Sequence, residues 1–142
     1  ALPTDRLRVA VHIRHRDYRT WNQGRFFFSL ERFREEMASL RARHATRRPF
    51  FVIFSDEPRH EDEFAGFDHV VSRGNLVEDR HRMSRCDLII GPCSTFSLWA
   101  AFAGGIKALH LGRTAGDEFS WMDSPLPALV TAQQLDDHLA SR

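Results

Sequence analysis

Apolar residues follow two rhythms along this chain. Five short runs are almost continuously apolar and rich in β-branched or aromatic side chains: residues 7–13 (LRVAVHI), 50–54 (FFVIF), 68–71 (DHVV), 88–91 (LIIG) and 106–111 (IKALHL). Such runs read as strands, and their apolar continuity implies burial on both faces, as in a parallel sheet covered by helices. Between them, apolar positions recur at helical spacing. Residues 29–44 place Leu30, Phe33, Met37 and Leu40 on one stripe, with Ser29 as N-cap. Residues 75–85 open with Asn75 and Glu78, a capping-box pair, and direct Leu76, Met83 and Cys86 inward. Residues 94–103 are nearly all apolar after a polar entry and stop at Gly104-Gly105, a glycine C-cap. Residues 131–140 open with another capping-box pair, Thr131 and Gln134. Residues 112–126, rich in Gly, Asp and Pro, read as a loop and surface flap. This order predicts an α/β fold, a doubly wound Rossmann-like parallel sheet of about five strands with flanking helices.

Composition adds bounds. With 142 residues and no repeat or linker, the chain fits one domain. A chain of this size buries roughly 68–70% of its unfolded surface, enough for a core. No apolar run approaches the roughly 20 residues that span a bilayer, and residues 1–30 carry no secretory-signal pattern. The expectation is therefore a cytoplasmic protein without a transmembrane segment, or one peripheral at the inner membrane face. Net charge is +1, but residues 1–50 hold twelve arginines against five acids, and residues 51–142 eight basic residues against fourteen. A basic first third could meet phosphates. Arg32, Arg34, Arg41 and Arg43 read instead as the solvated face of a helix. His81, Cys86 and Cys93 lack a tight cysteine pair and a fourth ligand, so no metal site is expected. Cys86 reads as a small buried residue, and no disulfide is expected.

Ligands of open α/β sheets bind beyond the carboxyl ends of the strands. Three polar clusters fall at such ends. The first closes strand one as His12-Ile13-Arg14-His15-Arg16-Asp17-Tyr18. Alternation puts His12 and Arg14 on one side, and an Arg fork matches phosphate oxygens. Asp17 could orient an Arg or accept a proton; a surface ion-pair cluster is the competing reading. The second is Ser55-Asp56-Glu57-Pro58, which by itself fits a turn best, the alternatives being a contact to a ligand ribose or to a catalytic Arg. The third, Gly91-Pro92-Cys93-Ser94-Thr95-Phe96-Ser97, leads into an apolar helix whose start offers amides and hydroxyls to an anion, or a serine cap and nothing more. Asp79, in a helix first turn, complements the dipole or accepts two N–H groups from a guanine edge.

H-x-R-x-x-D-Y at 12–18, F-S-D-E at 54–57 and M-S-x-C-D-x-I-I-G-x-x-S-T-F-S-x-W at 83–99 resemble the bacterial α-1,2-fucosyltransferases, and more remotely the α-1,6- and protein O-fucosyltransferases. The resemblance covers about residues 7–111. It implies that residues 1–142 are the C-terminal, nucleotide-sugar-binding half of a two-domain, GT-B-like transferase whose acceptor-side N-terminal half is absent from this chain. It also implies GDP-fucose as donor, a glycan acceptor, inversion, and neither cofactor nor obligatory metal. By position, the phosphate-binding arginine falls on Arg14, the guanine contacts on His12 and Asp79, and a second phosphate contact on Ser94, Thr95, Phe96 and Ser97. Asp17 matches an acid beside the donor and is the candidate base; Asp56 joins the donor-binding set. The sequence departs from the family at His15, where a second Arg is usual, at Arg16 (Gly), at Cys93 (Asn) and at Leu98 (Trp).

The alternatives are a non-catalytic nucleotide-binding module on the same fold and a transferase of another nucleotide sugar. Nucleic-acid binding through Trp21, Phe26, Phe27 and Phe28 beside Arg19 and Arg25 is not expected, because no recognised motif accompanies them.

Overall fold

The computed structural model describes residues 2–112, 129–130 and 132–141. Among the described residues six strands appear: β1 (Arg8–Ile13), β2 (Phe50–Ser55), β3 (His69–Val71), β4 (Leu88–Gly91), β5 (Lys107–His110) and β6 (Leu129–Val130). They form one sheet in the order β3-β2-β1-β4-β5-β6, with all neighbours parallel. The helices are α1 (Leu30–Arg43), α2 (Leu76–Ser84), α3 (Thr95–Gly104) and α4 (Ala132–Ala140). The doubly wound expectation holds. The sixth strand went unforeseen because two residues carry no periodicity to read. The flap expected at 112–126 lies, Gly112 apart, outside the described residues, as does Thr131.

Strand parity divides the core. Val9, Val11 and Ile13 of β1 join Phe51, Ile53, Leu88 and Ile90 beneath Phe33, Met37 and Leu40 of α1 and Leu135 and Leu139 of α4. Ala10 points the other way, with Val52, Phe54 and Ile89, against Met83 of α2 and Ala100 and Ala101 of α3. Small residues on this second side let α2 and α3 lie close to the sheet. At Gly104 a β-carbon would sit 2.2 Å from the Ser84 carbonyl oxygen, so only glycine allows α3 to meet the end of α2 there.

The caps form largely as read. Ser29 accepts from the Arg32 amide, Asn75 and Glu78 make a reciprocal box, and Gly105 closes α3 in the left-handed region. One expectation fails: Leu76 is 74% exposed, whereas Met83 and Cys86 are buried. As the first residue of α2, Leu76 stands at the edge of the helix–sheet contact.

The charge asymmetry closes in part within the chain. Arg8 holds Asp87 between the starts of β1 and β4, with its Nη2 2.7 Å from Oδ1. Arg6 meets Asp68, Arg43 meets Asp136, and Arg19 meets Glu57. These four early arginines thus pair with later acids inside the chain. Of the aromatic run, Phe26 is buried and packs with Tyr18 and with Trp21, which is itself exposed. Cys86 and Cys93 are free and buried, and burial pushes their thiols up to about 12 and about 11. No helix among the described residues is long and apolar enough to cross a membrane.

Candidate nucleotide-binding cleft

In this strand order the chain reverses direction across the sheet between β1 and β4, and open parallel sheets bind ligands at the carboxyl edge of such a point. A cleft of about 650 Å³ lies there, lined by His12, Arg14, Arg16, Asp17, Phe54, Ser55, Asp56, Leu76, Asp79 and Phe96. His12 shares the parity of Ala10, so it leaves β1 on the α2–α3 side, and Arg14 continues that direction. Gly91 on β4 makes room: a β-carbon there would lie 2.9 Å from the His12 carbonyl oxygen and 3.1 Å from His12 Cβ.

His12 is buried, and its Nδ1 has no hydrogen-bond partner among the described residues. Its ring lies 5.5 Å from that of Phe96. Burial, with the Arg14 charge adding to it, lowers its pKa to about 4, so the imidazole is neutral near pH 7. A buried polar atom without a partner costs stability, and a ligand group in the cleft is one way to satisfy it.

Arg14 grips Asp17 with both teeth of one edge, Nε to Oδ1 at 3.0 Å and Nη2 to Oδ2 at 2.8 Å. Its guanidinium lies over the Tyr18 ring, 4.7 Å from the centroid. The bond to Asp17 raises the Arg14 pKa, and the same bond holds the Asp17 carboxyl below its usual range. Asp79 accepts from the Ser72 hydroxyl at 2.6 Å. Gly74 permits its approach, since a β-carbon there would sit 2.7 Å from Asp79 Oδ1.

Asp56 lines the wall, with both oxygens engaged by backbone: Oδ1 accepts from the His15 amide at 2.9 Å and Oδ2 from the Arg16 amide at 3.1 Å. It thereby fixes the turn that carries Arg14. At the entrance to α3, Ser94 is buried and its hydroxyl caps the Phe96 amide at 3.3 Å. Ser97 is buried and donates to the Ser94 carbonyl at 3.0 Å. Thr95 is exposed. Of the residues singled out in the sequence, the cleft gathers His12, Arg14, Asp17, Asp56, Asp79 and Phe96, while Ser94, Thr95 and Ser97 do not line it.

His15 turns away from the cleft. It is buried, its Nε2 donates to the Phe28 carbonyl at 2.7 Å, and its Nδ1 accepts from Arg59 Nη2 at 2.6 Å. Both ring nitrogens are thus used by a neutral imidazole. Burial lowers its pKa, consistent with that tautomer. Arg59, itself buried, also reaches Ser55 and Glu57, so the network ties the end of β2 to the turn after β1. Arg16, Phe54, Ser55 and Leu76 line the cleft without having been among the expected site residues. Arg16 shares the polar cluster of Arg14, but strand parity stops at Ile13 and cannot say which way its side chain turns. Leu76 gave no signal, being read as core.

The sequence matches glycosyl transferase family 11 over residues 3–126. No curated protein sequence matches the chain. Among solved structures, the fold is similar to that of POFUT1 in complex with GDP-fucose, with a TM-score of 0.52 and 13% sequence identity. That similarity covers 69% of this chain and 37% of the other, so the chain spans little more than a third of that protein's length. The match spans β1 to β5 and every residue that lines the cleft, and the chain belongs to glycosyl transferase family 11.

Proposed function

We propose that this chain is the donor-binding half of a two-domain transferase that moves fucose from GDP-fucose to a glycan hydroxyl with inversion. The observation that carries the reading is the conjunction, in one cleft of a family 11 chain, of a buried imidazole with an unpartnered Nδ1, a carboxylate at Asp79 and a guanidinium at Arg14. His12 and Asp79 offer hydrogen bonds to a guanine edge, whose two adjacent N–H groups suit a carboxylate. Arg14 keeps N–H groups beyond the two that Asp17 engages, and these are donors for the diphosphate. The solved relative's bound GDP-fucose supports the same donor.

As the sugar–phosphate bond breaks, charge grows on the leaving phosphate. A preorganised guanidinium stabilises that charge more than it stabilises the bound ground state. In this reading Arg14 takes the cationic role that a metal ion fills elsewhere, and no metal is required. The first-turn amides of α3 add a partial positive charge beside it. Asp17, the base candidate by resemblance, is held ionised and tightly paired, which weakens it as a proton acceptor. The geometry favours an orienting role for Asp17, and the acceptor's proton then goes to a base in the acceptor-side half.

Nucleotide choice tests the reading. Replacement Asp79→Ala should lower GDP affinity about tenfold, the size of one charge-assisted hydrogen bond, and leave weaker UDP binding unchanged. Equal wild-type affinity for GDP and UDP removes its basis.

A further inference from the structure

The turn after β1 and the entrance to α3 are distant in sequence, and one side chain joins them. Tyr18 lies in a short 3-10 turn, Asp17–Arg19, and is buried. Its hydroxyl donates to the Cys93 carbonyl at 2.6 Å. Cys93 immediately precedes Ser94, the N-cap of α3, so the bond holds the chain where the helix begins. The Cys93 carbonyl stands outside the helical ladder, whose first acceptor is the Ser94 carbonyl. The phenol therefore answers no need of the helix itself.

The same ring carries Arg14, 4.7 Å from its centroid, an arrangement in which the aromatic face attracts the cation. Trp21 stacks on it with centroids 5.2 Å apart, and Phe26, Cys93 and Leu98 complete a small cluster apart from the two main cores. A phenylalanine would keep this packing and the contact with Arg14. The tether to the Cys93 carbonyl, and a side-chain bond with Ser94 next to it, need the hydroxyl.

We propose that Tyr18 is a positioning residue of the donor site, setting the spacing between Arg14 and the entrance of α3 so that both act on one diphosphate. The inference rests on reading the cleft as a GDP-fucose site. Tyr18→Phe removes the hydroxyl's bonds to Cys93 and Ser94 at the entrance of α3 and keeps the ring. Titrating GDP and guanosine into this chain separates the diphosphate's share of affinity from the base's, because the ratio of the two affinities isolates the former. In Tyr18→Phe that ratio should fall roughly two- to tenfold, the range for one hydrogen bond, with guanosine affinity held. A merely structural tyrosine would lower the melting midpoint and both affinities together, and equal falls overturn the proposal. A ratio that is large in the wild type and unchanged in Tyr18→Phe overturns this inference alone. A wild-type ratio of one overturns the nucleotide reading and this inference with it. Because Tyr18 is the chain's only tyrosine, fluorotyrosine labelling gives a single fluorine NMR resonance in the unmutated protein. GDP should shift that resonance and guanosine should not; a resonance indifferent to GDP overturns the proposal even where Tyr18→Phe fails to fold.

Discussion

The ends of β1 and β4 are neighbours in the sheet, and both looked ready for an anion in the sequence, yet they use their polar groups in opposite ways. At the end of β1, strand parity sends His12 and Arg14 into an open cleft, where an imidazole nitrogen has no partner and the guanidinium keeps donors beyond its ion pair. At the end of β4, the serines are buried and occupied: Ser94 caps a backbone amide and Ser97 bonds the Ser94 carbonyl. The difference teaches that a hydroxyl at a helix start first serves the helix. What such an entrance offers a ligand is its backbone and its dipole, whereas a strand end offers side chains.

Acid should produce the largest contrast, because His12 titrates at the β1 end, whereas residues 92–97 at the α3 entrance include no His, Asp or Glu. The folded pKa of His12, about 4, lies below its ordinary value of 6.5. The unfolded chain therefore binds more protons in between, and stability rises with pH across that window. The contribution is fully present above about pH 6.5 and is lost as pH falls towards 4, a swing of about 3 kcal/mol. Denaturant melts at several pH values should show this slope flattened in His12→Gln; an equal slope in both proteins removes the buried neutral imidazole from the account.

Next comes Arg14→Lys. A lysine keeps the charge but not the fork, so turnover of the whole enzyme should drop by a factor of ten to a hundred, roughly 1.5–3 kcal/mol. The melting midpoint should hardly move, since exposed ion pairs contribute about 0–1 kcal/mol. Normal turnover would leave Arg14 as a surface ion-pair partner.

Gly91→Ala strikes between the two regions. Its new methyl group meets the His12 backbone, and overpacking of this kind costs roughly 1–3 kcal/mol. Thermal melts should register that loss, with GDP affinity falling beside it; a variant as stable as wild type would mean that the strands separate freely at this point. The smallest effect is expected from Ser94→Ala. Losing the cap should cost about 1 kcal/mol of stability and change GDP affinity less than any substitution of Arg14. If Ser94→Ala instead matches the Arg14 variant in lost affinity, the hydroxyl is a ligand contact and the contrast between the two ends collapses.

Much of this contrast was legible beforehand, and the limits have physical causes. Apolar runs located five of the six strands, and parity along β1 placed His12 and Arg14 together because both are fixed by a period of two residues. Asp79 came from its position in a helix first turn. The sequence could not tell a capping serine from a binding one, since the same residue types at the same spacing do both. Nor could it show that Asp56 would hold the His15 and Arg16 amides, because that pairing joins residues about forty positions apart. His15 hid its role similarly: its partners Arg59 and Phe28 come from separate loops. Leu76 was misread because helical spacing says which residues share a face and not where the sheet beneath that face ends.

The most direct test of the central claim is to follow the backbone amides of this chain by nitrogen-edited NMR while GDP is added. The account predicts that the shifts gather at residues 12–17 and 74–79 and at the start of α3, with nothing comparable on the far side of the sheet around α1. Shifts centred on α1, or none at all as GDP saturates, would contradict it.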